Sequence, residues 1–260
     1  MENIRRISAI AGPRSTGYLG PMKVAAYPAP LLDHGTRDAV ALIAQRVREC
    51  EARGVAMLCC PEAIIGGLAD YSAAPLRDAI QAHDLESTLA PLASDSVTSI
   101  VGFSGLAPGG ALYNSAAVFE RGRVVGVYRK VHPAIRRSVY AAGTETPVFR
   151  GGDLTFGILI CNDSNDPELA RRMRGEGATV LFIPTNNALP IGRASAKLNE
   201  AARAVDIRLA SENRVWIVRA DVVGSDGRLM SFGSSEVVDP DGKVVCEARS
   251  GSVDLLVADI

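Results

Sequence analysis

Glu62, Lys130 and Cys161 are the side chains of this sequence best placed to do chemistry together. Each stands at the end of an apolar run and ahead of a turn: Glu62 after VAMLCCP, Lys130 after VVGVYR, Cys161 after FGILI. In open α/β sheets, sites assemble at the carboxyl ends of strands. A cysteine nucleophile needs a neighbour to take its proton, and a positive charge or N–H donor where negative charge develops on oxygen. A carboxylate, an ammonium and a thiol supply that set without a histidine. Taken singly, each has a plainer reading. A cysteine ending a buried strand packs as a core thiol, a glutamate near a helix N-terminus is favoured by the dipole, and a strand-end lysine is solvated. Residue types alone leave both readings open.

The elements around these residues alternate short apolar runs with helical patterns. Met22 to Ala26 predicts a first strand. Val40, Ile43, Val47 and Cys50 recur at helical spacing between Thr36 and Arg53, and Gly54 follows as a stop. Val55 to Cys60, Ser99 to Ser104, Leu154 to Ile160, Thr179 to Pro184 and Val215 to Ala220 read as further strands. Arg121-Gly122 and Asp239 to Gly242 mark hairpin turns. Residues 70 to 95 read as short helical pieces punctuated by Pro75 and Pro91. Asp166-Pro167-Glu168 predicts an N-cap with proline at the first helical position. A long helix is expected from about Ala194 to Asn213, with Leu198, Ala202, Val205 and Leu209 on one face. No linker, repeat or low-complexity tract interrupts the 260 residues. The expectation is one α/β domain with mixed strand pairing.

Composition narrows the function. With 28 Lys plus Arg against 29 Asp plus Glu, no basic excess points to nucleic acid or an anionic membrane. Five cysteines, three scattered histidines and no CxxC argue against a disulfide framework or structural zinc. No apolar run approaches the ~20 residues of a membrane span. Residues 1–21 carry too short an apolar piece for a signal peptide and read as an extension ahead of the first strand. A cytoplasmic location is expected.

The motifs also carry a resemblance. PEAIIGG resembles the glutamate motif of the nitrilase (carbon–nitrogen hydrolase) superfamily, VYRKVHP its lysine motif and GILICNDSNDPE its cysteine motif, in matching order and spacing. The similarity runs from about Met22 to Ile260, through IVGFSG, LYNSAAVF, SENRVWIVRADVVG and SSEVVDPDGKVV. It implies a four-layer αββα sandwich over residues 22–260, assembled as a homodimer. It further implies Cys161 as nucleophile, Glu62 as general base, and Lys130 with the backbone N–H of Asn162 as oxyanion stabilisers. The implied reaction cleaves a non-peptide carbon–nitrogen bond of a small amide or carbamoyl compound, or less readily a nitrile, through a cysteine thioester. No metal or organic cofactor is implied.

Several positions depart from the pattern. Many relatives carry a second glutamate shortly after the lysine, where this chain aligns Arg136. Asn165 replaces a frequent arginine, and Asp221 stands where asparagine is usual. Arg136 keeps open the rival of a nitrilase-like binding protein without turnover; a second rival is an acyltransferase, since a thioester can be intercepted by an acceptor other than water. Cys59 and Cys60 read as core thiols and His132 as a local hydrogen-bonding residue. Asn186 and Asn187 fit a pocket lining or a plain turn equally.

Overall fold

A computed structural model describes residues 22–34, 38–135, 137–193 and 196–260. Residues 1–21 and Arg136, which figure in the expectations above, lie outside the described residues.

Two sheets of similar plan stack face to face. In the first, Lys23–Ala26, Met57–Cys59 and Thr98–Leu106 run parallel. Leu256–Asp259 flanks them antiparallel on one side, and Leu112–Glu120 then Arg123–Arg129 on the other. In the second, Leu154–Ile158, Val180–Pro184 and Trp216–Ala220 are the parallel centre. Val148–Gly151 flanks one side, Glu236–Val238 and Val244–Glu247 the other. Helices cover both outer faces, Asp38–Ala52 on the first sheet, Pro167–Gly175 and Lys197–Asn213 on the second. This is the four-layer αββα sandwich.

The period-2 pattern explains the stacking. Val24, Ala26, Met57 and Cys59 point into the layer between the sheets with Phe156, Ile158 and Phe182. Their neighbours Ala25 and Leu58 turn the other way, onto Ile43 and Val47 of the first helix. Strands buried on both faces read as unbroken apolar runs. That is why VAMLCC and FGILI stand out in the sequence.

The local signals resolve as their chemistry requires. Arg121 and Gly122 both adopt positive φ, 49° and 76°, as a two-residue hairpin demands. The Asp166 side chain accepts from Glu168 N, with Pro167 opening the helix. Strands at Val148–Gly151, Val222–Ser225, Leu229–Ser231 and Leu256–Asp259 had no sequence expectation. Among the described residues, no helix is long and apolar enough to cross a membrane.

One buried carboxyl ties the second sheet to the long helix. Glu236 is 2% exposed, and its Oε2 accepts from Arg203 Nε at 2.9 Å. Its other oxygen lacks a partner among the described residues. Burial, followed by the nearby Asp206 carboxylate, pushes its pKa up to about 7 despite Arg203 and Arg219. A raised folded-state pKa means the native chain holds the proton more tightly than the unfolded one. Stability therefore falls as pH rises between the ordinary value of 4.5 and about 7, then levels off. Glu236→Gln is expected to melt above wild type at pH 8, with up to about 3 kcal/mol at stake, and the gap should close toward pH 5. Thermal melts at the two pH values check this; a gap independent of pH would refute it.

Candidate active site

The strand ends deliver Glu62, Lys130 and Cys161 to one cavity of about 200 Å³. Lys130 Nζ donates to Glu62 Oε1 at 2.6 Å, and Asn114 Nδ2 donates to the same oxygen at 2.7 Å. Glu62 Oε2 accepts from Asn186 N at 2.9 Å. Glu62 and Lys130 are 1% and 3% exposed, so this ion pair is removed from water. Burial alone would lower the Lys130 pKa; the adjacent Glu62 carboxylate outweighs it and holds the ammonium above its usual range.

Two glycines set the positions of this pair. A Cβ at Gly102 would stand 2.2 Å from Pro61 O and 2.8 Å from Glu62 Cα, so the turn carrying Glu62 can lie only on a bare backbone. Gly143 N donates to Lys130 O at 2.7 Å, and a Cβ there would meet Arg129 O at 2.2 Å. Both close approaches exclude any side chain.

Cys161 follows its strand in a left-handed conformation, φ 47°, a strained geometry for a non-glycine residue. Its surroundings hold it there. Asp163, fully buried, accepts from Ile160 N at 3.1 Å, Tyr128 Oη at 2.8 Å and His132 N at 2.7 Å. One carboxylate thus clamps the cysteine turn to the segment bearing Lys130. Ser164 Oγ donates to Cys161 O at 2.7 Å and accepts from Arg219, itself paired through two nitrogens with buried Asp206. Arg219 also donates to Thr185 Oγ1 at 2.7 Å, and Thr185 O accepts from Glu62 N. Burial first, then the Glu62 charge, pushes the Cys161 thiol up to about 12, against the pull of Lys130 and Arg219.

The remaining sequence expectations divide. Asn186 and Asn187 both line the cavity. His132 Nε2 lies 2.8 Å from Asp166 Oδ2, a local contact, and Cys59 and Cys60 are fully buried. Asn162 Nδ2 donates to His132 O at 3.2 Å. Asp70 also lines the cavity, with its carboxylate engaged by Ser138 Oγ and Val139 N; Glu145 is exposed. Sequence reasoning missed Asn114, Arg219 and Asp206. The one available signal was Arg219 itself, a charge inside the apolar run VWIVRA. A larger cavity of about 310 Å³ opens among Phe103, Tyr113, Val127 and Arg129 but contains none of the three chemical residues. Among the described residues, no group of three or more His, Cys, Asp or Glu is arranged to hold a metal ion.

Comparison with known proteins agrees with this architecture. The family model for carbon–nitrogen hydrolases matches residues 23–260. A nitrilase of Pyrococcus abyssi is 33% identical over 174 residues, covering 66% of this chain and 63% of its own length. An (R)-stereoselective amidase of Pseudomonas sp. is 29% identical over 203 residues, 76% of this chain and 70% of that protein. The match thus spans less than two-thirds of the Pyrococcus protein. Saccharomyces cerevisiae Nit3, a member of branch 10 of the nitrilase superfamily, shares the fold at a TM-score of 0.80 and 21% identity, over 92% of this chain and 90% of Nit3.

Proposed function

We propose that this chain, which belongs to the carbon–nitrogen hydrolase family, hydrolyses a small amide or carbamoyl compound through a thioester on Cys161. The observation that carries the reading is the buried Glu62–Lys130 pair opening on the same cavity as Cys161. A thiol whose pKa stands near 12 is protonated at neutral pH, so its proton must leave as the carbon–sulfur bond forms. Glu62 is the base that takes it. The carbonyl oxygen becomes an oxyanion facing the Lys130 ammonium and the backbone N–H of Asn162. Glu62 then returns the proton to the departing nitrogen, the carbon–nitrogen bond breaks, and ammonia or an amine leaves. Water attacks the thioester, Glu62 takes its proton, and the acid departs with the thiol restored.

Leu68, Tyr71, Ile135, Leu189 and Leu198 line the cavity around the charged pair, which suits a small substrate with an apolar body. The same reading carries a homodimer in the cytoplasm. The test is a panel of short aliphatic amides and carbamoyl compounds, assayed for ammonia release, with acid-quenched protein weighed by mass spectrometry. Ammonia release with an acyl mass increment on the Cys161 peptide is expected. Tight binding of panel members with neither signal would favour a binding protein. Acyl transfer to added amines in preference to water would favour an acyltransferase.

A further inference from the structure

Asp221, where the sequence departs from the family's usual asparagine, stands at the start of a chain of hydrogen bonds ending on Cys161. It is fully buried. Its Oδ1 accepts from Asn187 N at 3.0 Å and Val222 N at 2.8 Å, and its Oδ2 from Ser234 Oγ at 2.7 Å. A serine hydroxyl has one proton. Because Ser234 spends it on Asp221, Ser234 must accept from its other neighbour, Asn187 Nδ2, at 3.1 Å. That fixes the orientation of the Asn187 carboxamide. Its oxygen, which cannot donate, faces Cys161 Sγ at 3.7 Å, so the thiol is the donor. Meanwhile both Glu62 oxygens are occupied, by Lys130 and Asn114 on one side and Asn186 N on the other.

We propose that Asn187 is a positioning residue that holds the resting Cys161 thiol by its proton, and that Asp221, acting through Ser234, fixes which end of its carboxamide faces the sulfur. The thiol is kept neutral and pinned at one rotamer until substrate enters. A carbonyl oxygen beside the sulfur disfavours the thiolate. It acts alongside the charges of Glu62 and Asp221 and against those of Lys130 and Arg219. An asparagine at position 221 would leave the orientation free, because it could donate to Ser234 and reverse the chain.

The test reads the thiol without substrate. Iodoacetamide labels the thiolate, so the rate at Cys161 between pH 7 and 10, resolved by mass from the other four cysteines, reports how strongly the thiol form is held. Asn187→Leu keeps the site dry and every neighbouring charge in place while removing the acceptor. Ser234→Ala releases the carboxamide without touching the sulfur. Labelling of Cys161 is expected to rise in Asn187→Leu by about fivefold to tenfold at a given pH, the size of one hydrogen bond. Ser234→Ala should give a smaller rise in the same direction. Unchanged or slower labelling in a folded Asn187→Leu would overturn the inference, since a mere wall residue made more apolar favours the thiol. If that variant does not fold, an unchanged rate in Ser234→Ala overturns it alone. The inference rests on Cys161 being the reactive thiol, and the two fail differently. No ammonia release or acyl adduct in wild type counts against the proposed function, whereas equal labelling rates beside intact turnover count against Asn187.

Discussion

Cys161→Ala should lower amide hydrolysis by about 10⁵-fold while leaving the melting temperature within a few degrees of wild type. Two arguments give this asymmetry. In the proposed reaction the thiol is the one group of the three that bonds to substrate carbon, so without it Glu62 and Lys130 can at most bind substrate and orient a water. The fold, by contrast, depends little on the sulfur. The left-handed turn at position 161 is held by Asp163 and by Ser164 Oγ on the backbone carbonyl, and neither contact involves the side chain. Alanine occupies the same conformation at the same cost. Steady-state ammonia release, with thermal melts on the same samples, checks both halves. Residual activity within tenfold of wild type would mean that the carbon–nitrogen bond breaks without a thioester.

The parts of this site legible in the sequence are those whose signal is local. An apolar run ending in glutamate, lysine or cysteine announces a strand end bearing a polar side chain, and the three runs do form strands that converge on one cavity. The clamp that holds them together was not legible. Asp163 gathers its donors from Tyr128 and His132, more than thirty residues upstream, and nothing local distinguishes it from any aspartate in a turn. Arg219 came closest to being readable, since a guanidinium inside a buried strand must find a carboxylate. Its partner Asp206, however, lies on the long helix among Val205 and Leu209, where the helical pattern alone suggests only a polar interruption. The strands Val148–Gly151 and Leu256–Asp259 escaped for another reason. Each is four residues long and recruited at a sheet edge by its neighbour, too short for alternation to register.

Glu62→Gln should move two readouts of the same site in opposite directions. Turnover should fall by about 10³-fold or more, because in the proposed reaction Glu62 both accepts the thiol proton and returns it to the leaving nitrogen. Labelling of Cys161 by iodoacetamide should become faster at pH 8. The Glu62 charge is the second cause, after burial, that pushes the thiol up, and its removal leaves Lys130 and Arg219 to favour the thiolate. Stability should drop as well. Three donors converge on the carboxylate, from Lys130, Asn114 and Asn186, and whichever way a glutamine is turned its NH₂ group faces one of them. A buried lysine without its counter-ion adds to that cost, about 3–5 kcal/mol in all. The double variant Glu62→Gln with Lys130→Met should regain part of this stability and none of the turnover, which separates the pair's structural role from its chemical one. If Glu62→Gln slowed both labelling and turnover, Glu62 would be activating the resting thiol directly. The reaction would then begin from a preformed thiolate rather than from a neutral thiol that surrenders its proton during attack.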